Sequence, residues 1–491
     1  MLSRLLRTCL DTEWGRRAGG REELDSDHGN LLPDPALRSR AVSVLLLLGG
    51  LLGCFGSGSD KTAYVGATVF DGTGAPPTLD GVIIVAAGRI EQIGPPDLVK
   101  VPRGAVEIRL DGRWVIPGLI DAHVHLERWA LSRFLAYGVT SVRSLGGGRD
   151  TVVALRDSVL AGMIDGPRLY VSGPMVDGRP ATWEGATEVR DATAARRAVD
   201  DRVLIGAAQI KIYTKLDRRL LAPLLDEAAA LQLPVAAHLG RIDALTAARM
   251  GVRSLEHMSG VVEATLPDPA RLFRAHDDFF SGWKMSGREW ASLDSAALDR
   301  TASALAETDV AVVPTLVLHE AFGYLADQEF IAQLDLAGVP QHVQEAWDVP
   351  DLIRRAGMRE ADFTAFRRAR PVQDQFLRLF SRAGGTIATG TDSPNQLLAP
   401  GASLHRELEL LVAAGLSNEQ ALLAATREAA RVLGSDSLGV LQPGAAADFL
   451  VLTADPLADI AHTRLIERIV LRGSSYDPVE FRQDWEGQRE R

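Results

Sequence analysis

The sequence predicts an α/β protein, a (β/α)8 TIM barrel carrying a small β-sandwich built from the segments that flank it. Three observations lead there. Strand-like apolar runs alternate with amphipathic stretches over residues 114–434, the order that successive βα units produce. Short strand-like runs broken by Gly and Pro stand on both sides of that region, over 61–113 and 435–480. Polar, chemistry-bearing residues of the middle fall at the ends of its predicted strands, where a barrel gathers its site.

Composition sets the outer limits. The chain has 491 residues, 46% hydrophobic and 24% charged, with a formal net charge of -11. This is the balance of a globular protein, and its acidity argues against nucleic acid as a partner, since phosphate neutralisation needs clustered Lys and Arg. The two cysteines are Cys9 and Cys54, so a disulfide framework, a thiolate metal site and a Cys nucleophile are all excluded beyond residue 54.

Residues 1–40 have no sustained apolar period and receive no assignment. Arg38 and Arg40 then precede the apolar run 41–53, AVSVLLLLGGLLG, which has the flank and core length of a secretory signal and is too short to span a bilayer. Its end, Leu51-Leu52-Gly53-Cys54, resembles a bacterial lipoprotein signal, although Leu52 departs from the small residue usual there. The resemblance implies lipid attachment at Cys54 and an exported, periplasmic or outer-membrane-anchored lipoprotein that meets the membrane only through its lipid. A translation start near residues 36–42 follows from the signal's position, and the Gly/Ser stretch after Cys54, up to residue 60, reads as a tether.

The sandwich strands are read in AYVGATVF, GVIIVAAGRIEQIG and AVEIRLDGRW, and again in 448–453 and 466–472. The barrel strands are expected at 114–125, 138–145, 167–173, 209–213, 234–239, 254–258, 310–317 and 386–392, with amphipathic helices such as 220–231 and 402–416 between them. Two connections, 261–309 and 318–385, are too long for simple crossovers and should shape a pocket at the barrel mouth; 481–491 is left as a tail.

At the end of the first strand stands Asp121-Ala-His123-Val-His125. Residues two apart on a strand share a face, so both imidazoles can grip one cation. His238 and His257 end the fifth and sixth strands, Asp392 ends the eighth, and Lys211 lies inside the apolar fourth, where an unpaired ammonium is costly. Each residue alone has a plain structural reading, but six of them on converging strand ends point to a metal site.

In this order and on these strands, His123-Val-His125, Lys211, His238, His257 and Asp392 resemble the metal site of the amidohydrolase superfamily. The resemblance spans about residues 62–475, including the closing Gly444–Leu452 segment. It implies two divalent ions, one held by His123, His125 and Asp392 and the other by His238 and His257. Lys211, carboxylated by carbon dioxide, would bridge them as a carbamate. Zinc suits these ligands, with manganese or cobalt as substitutes. A metal-bridged hydroxide would attack the substrate carbonyl, with Asp392 moving the proton.

Deaminases and imidazolonepropionase-like members of the superfamily lack the bridging lysine, and the deaminases carry Glu three residues after the fifth-strand histidine, where this chain has Arg241. The resemblance is therefore to prolidase-like and Xaa-Arg dipeptidase-like members, which implies cleavage of an amide or peptide bond in a small-molecule or short-peptide substrate. Hydrolysis of another cyclic amide, of an ester, lactone or phosphotriester, or a catalytically silent binding protein on the same barrel are the alternatives, and homo-oligomerisation stays open. Tyr213, His319 and Arg143 are candidate substrate contacts, weighed against core packing, loop exposure and an internal carboxylate partner respectively. Trp283 and Trp290 are expected in loop packing, and His405 and Glu407 on an exposed helix face.

Overall fold

The computed structural model describes residues 60–487. The expected signal segment and Cys54 lie outside the described residues. Eight strands form the barrel: Leu119–Val124, Val139–Ser144, Arg168–Val171, Ile210–Ile212, Val235–Ala237, Ser254–Glu256, Ala311–Val313 and Thr386–Ile387, here strands one to eight. Neighbours pair in parallel from one to three and from four to eight. Ala208 N–H donates to Val171 O at 2.9 Å, and Ala122 N–H to Thr389 O at 2.9 Å, which joins three to four and eight to one. The ring is closed, so no strand edge is left inside it.

The flanking strands join across the length of the chain. Trp114–Pro117 pairs antiparallel with Phe449–Leu452, and the two belong to one eight-stranded sheet that also takes in Lys61–Val69, Thr78–Ala86 and Ile466–Leu471. The first expected strand, 114–125, is therefore two strands divided at Gly118, whose N–H donates to Asp448 O at 2.9 Å. The chain leaves one sheet for the other at that glycine, where a Cβ would run into the Thr140 side chain.

Several helices begin on side-chain caps. Asp191, Asp217, Asp243, Asp278 and Asp294 each accept the backbone N–H three residues on, which satisfies donors that the helix itself cannot. The two long connections are helical: Val261–Thr265, Ala270–Ala275, Phe279–Trp290 and Ser295–Ala306 after strand six, and five helices ending with Glu360–Arg382 after strand seven. Strand seven is shorter than its apolar run because Thr315 turns the chain at φ 47° and a helix starts at Leu316. The tail begins as the helix Pro478–Gly487, with Phe481 and Trp485 buried.

His405 and Glu407, on the helix Ala402–Ala413, are buried rather than exposed. Their helix packs against the helices Leu316–Tyr324 and Asn418–Ala424 and the segment Ile460–Arg464, so the face that carries them is covered. Glu407 accepts from Leu316 N–H at 2.9 Å and Val317 N–H at 2.8 Å, and so caps the helix after strand seven. His405 Nε2–H donates to Tyr137 O at 2.9 Å, and Nδ1 lies 2.9 Å from the Thr463 hydroxyl. Burial, with Arg464 adding to it, pushes His405 from 6.5 down to about 4. A depressed base binds its proton in the unfolded chain first, so its stability is present above 6.5 and lost as pH falls toward 4. Melting of metal-free protein should drop across that window, and His405→Gln should make the drop shallower, by at most about 1.4 kcal/mol per pH unit. An unchanged pH slope would contradict the buried neutral imidazole.

Candidate metal centre

The strand ends place the histidines around one point. His123 Nε2 lies 3.2 Å and His125 Nε2 2.9 Å from Asp392 Oδ1. His257 stacks within 4.5 Å of His123, centroid to centroid, and His238 within 4.7 Å of His257. Ligand atoms of His123, His257 and Asp392 fall within 4.8 Å of one another, so this trio could hold one ion among the described residues. Lys211 Nζ has no hydrogen-bond partner among the described residues although the residue is only 1% exposed.

Partners behind the rings decide which nitrogen faces inward. His123 Nδ1–H donates to Glu256 Oε2 at 2.7 Å, and His257 Nδ1 lies 2.8 Å from the Thr315 hydroxyl. Nε2 of His123 is then left as a lone-pair donor, the arrangement a metal ligand needs, and Nε2 of His257 is so whenever its Nδ1–H donates to Thr315. Burial pushes His238 and His257 well below the ordinary imidazole value, so both are neutral and able to coordinate. Burial alone would raise Asp392, but His123 and His257 outweigh it and hold the carboxylate ionised.

Backbone geometry at the mouth is unusual. His257, Met258, Thr315 and Asp392 have φ of 60°, 54°, 47° and 62°, left-handed values that cost non-glycine residues about 1–3 kcal/mol each. The surrounding hydrogen bonds hold them there. Asp121, buried, accepts from Thr391 N–H at 3.0 Å and from its hydroxyl at 2.6 Å, while Asp392 N–H donates to His123 O at 2.7 Å. Gly390 lets strands eight, seven and one meet, since a Cβ there would stand 2.5 Å from Val313 and 2.7 Å from the His123 Cβ.

The other sequence candidates separate. Arg143 has the internal carboxylate: 2% exposed, it donates to Glu256 at 2.8 Å and to Ser254 Oγ at 3.0 Å, and it does not reach the mouth. His319 is not on an exposed loop but in the first turn of the buried helix Leu316–Tyr324. Its Nε2–H donates to His257 O at 3.2 Å and its Nδ1 accepts from Gln373 at 3.2 Å, so it supports His257 from behind. Tyr213 is half-buried with its ring 4.7 Å from that of His238. Trp283 walls the site, stacked on His319 at 5.2 Å, whereas Trp290 packs against Phe376 in the core.

Sequence reasoning missed Glu256, Thr315 and Asp121. Glu256 had a signal: like Arg143 and Lys211 it is a charge inside an apolar barrel strand, and a buried cation demands an anion. Burial pushes it up, yet Arg143 and His123 together hold it well below the usual carboxylate range. Glu256→Gln leaves the buried Arg143 without its anion, so it should lower the melting temperature and, in the protein that remains folded, lower affinity for zinc about 10- to 100-fold in a chelator competition. Unaltered affinity would contradict its role in orienting His123.

Comparison with known proteins agrees with this geometry. Residues 114–473 match the amidohydrolase family model. An imidazolonepropionase of Methylobacterium nodulans is 26% identical over 412 residues, 78% of this chain and 90% of the relative. Among solved structures, a candidate prolidase from Bifidobacterium longum is 25% identical with a TM-score of 0.63, covering 88% of this chain and 99% of that one. A bottromycin amidohydrolase is 23% identical with a TM-score of 0.67, over 88% of this chain and 90% of that one. Members of this family generally bind divalent metals, and the His and Asp cluster described above has the donors to do so. The chain belongs to the amidohydrolase family and is a hydrolase acting on carbon–nitrogen bonds.

Proposed function

We propose that this protein cleaves an amide or peptide bond in a short peptide or related small molecule, using two divalent ions bridged by a carboxylated Lys211. The observation that carries the proposal is the state of Lys211. Its Nζ is buried without a partner among neutral imidazoles, and burial pushes the amine from 10.5 down to about 8, against the opposing pull of Glu256 and Asp392. A free amine of that kind adds to carbon dioxide to give a carbamate and a proton. The carbamate would supply an anionic bridge where the barrel otherwise has an unsatisfied nitrogen. The donors are of the right chemistry for zinc: the resemblance assigns His123, His125 and Asp392 to one ion and His238 and His257 to the other, whereas the trio gathered in the structure is His123, His257 and Asp392.

Such ions, when bound, lower the pKa of water toward neutrality and polarise a carbonyl oxygen. The chain's own groups do the rest. Asp392 stands beside His123 and His125, where it can take a proton from the attacking water and return it to the departing nitrogen. Tyr213, with its pKa raised by burial, keeps its phenol proton and can donate it to the substrate oxygen. Thr315, Glu256 and His319 keep the histidines aimed. Lipid attachment at Cys54, with export, is part of the same proposal and rests on the sequence of residues 41–54.

A second reading, opening of a cyclic amide, is favoured by the relative named imidazolonepropionase. Against it stands Lys211, which the resemblance associates with the binuclear, peptide-cleaving members. Zinc-loaded protein offered dipeptides, N-acyl amino acids, cyclic amides, lactones and phosphotriesters should hydrolyse the first two groups, and Asp392→Asn should reduce that rate about 100- to 10,000-fold. Turnover confined to cyclic amides or to phosphotriesters, or a rate indifferent to Asp392→Asn, would overturn the proposal.

A further inference from the structure

One side of the metal centre is bounded by a run of aromatic rings that hold no metal. Tyr213 follows Lys211 by two residues and lies 4.7 Å from the His238 ring, centroid to centroid. Phe279, the first residue of its helix, is 5.8 Å from His238 and 6.1 Å from Tyr213, nearly parallel to the latter at 27°. Trp183 continues the series outward, 5.1 Å from Phe279 and 6.5 Å from Tyr213. It is 37% exposed, while Phe279 and Tyr213 behind it are half-buried and His238 is buried. The series therefore leads from solvent to a metal-ligand histidine.

The loop that carries Trp183, between the short strands Val176–Gly178 and Thr187–Val189, is anchored at many points. Asp177, 0% exposed, accepts from the N–H groups of Gly178, Thr182 and Lys215, each at 2.8 Å. The Thr182 and Thr214 hydroxyls are 3.1 Å apart, and Lys215 Nζ donates to Pro180 O at 2.9 Å. Gly178 packs so closely on the Lys215 carbonyl that a side chain there would collide with it. Trp183 is thus held over the turn after strand four without a ligand to order it, and a preformed aromatic surface spares a substrate that ordering cost.

Charge at this rim is already engaged. Lys215 is bound as above, Arg241 pairs with Asp277, and Arg179 lies 3.7 Å from Glu188. Each of these cations has a partner, so the wall suits an uncharged group better than a carboxylate. Flat rings in offset and edge arrangements accept another ring readily.

We infer that Trp183, Phe279 and Tyr213 form a subsite for a flat, uncharged, apolar side chain, an aromatic one above all, beside the amide that is cleaved. This rests on the amide-hydrolase reading and names the substrate class of the same site.

The test is the ratio of kcat/KM for matched substrates, N-acetyl-phenylalanine against N-acetyl-alanine and Phe-Ala against Ala-Ala, in zinc-loaded full-length protein. The parent should favour the aromatic member of at least one pair by about 10- to 100-fold. Trp183→Ala should collapse that ratio toward unity and Trp183→Phe should restore most of it, with zinc content and melting matching the parent in both. A parent without aromatic preference, or a ratio unmoved by Trp183→Ala, overturns the subsite while leaving amide hydrolysis standing. No hydrolysis of any amide by the zinc-loaded parent would overturn the functional reading itself, and the subsite with it.

Discussion

An ionised glutamate held away from water governs the interior of this barrel. Glu256 has no exposed surface, and its two oxygens are taken up by Arg143, Ser254 and His123. Removing one partner of a buried pair such as Arg143–Glu256 costs about 3–5 kcal/mol, so the arrangement holds its members in place. One oxygen neutralises the guanidinium, and the other fixes the proton of His123 on Nδ1. That choice turns the Nε2 lone pair of His123 toward Asp392. The Thr315 hydroxyl stands at the corresponding nitrogen of His257, and Glu407 in turn caps the helix that begins just after Thr315.

The strained backbone follows from the same demand. Strand ends alone deliver side chains in a ring, yet His257 and Asp392 sit where the chain has already turned to positive φ. These turns lift the imidazole and carboxylate out of the strand direction and aim them at a common point. Asp121, Gly390 and the bonds across strands one and eight hold the turns closed. Helical insertions after strands six and seven then cover the back of the histidines with Trp283 and His319, while the loop after strand three supplies Trp183 at the front.

Much of this is legible in the sequence because barrel strands are short, apolar and evenly spaced. All eight expected positions contain a barrel strand, and the His123 and His125 rings come close to Asp392, with His257 beside His123 and His238 beside His257. What escaped is of another kind. The division of the first strand at Gly118 depends on Asp448 and Thr140, residues far away in sequence. His405, Glu407 and His319 read as surface positions because a polar residue on an amphipathic helix is usually solvated; here distant segments cover them and satisfy their polar atoms. Arg143 could be weighed between two partners only until Glu256 was seen beside it.

The central claim is that Lys211, as a carbamate, bridges two ions. Elemental analysis of protein prepared with zinc and bicarbonate, beside a Lys211→Ala variant that melts like the parent, tests it most directly. The bridged centre predicts about two ions per chain in the parent and a clear loss in the variant. One ion or fewer in the parent, unchanged by the substitution, would contradict it.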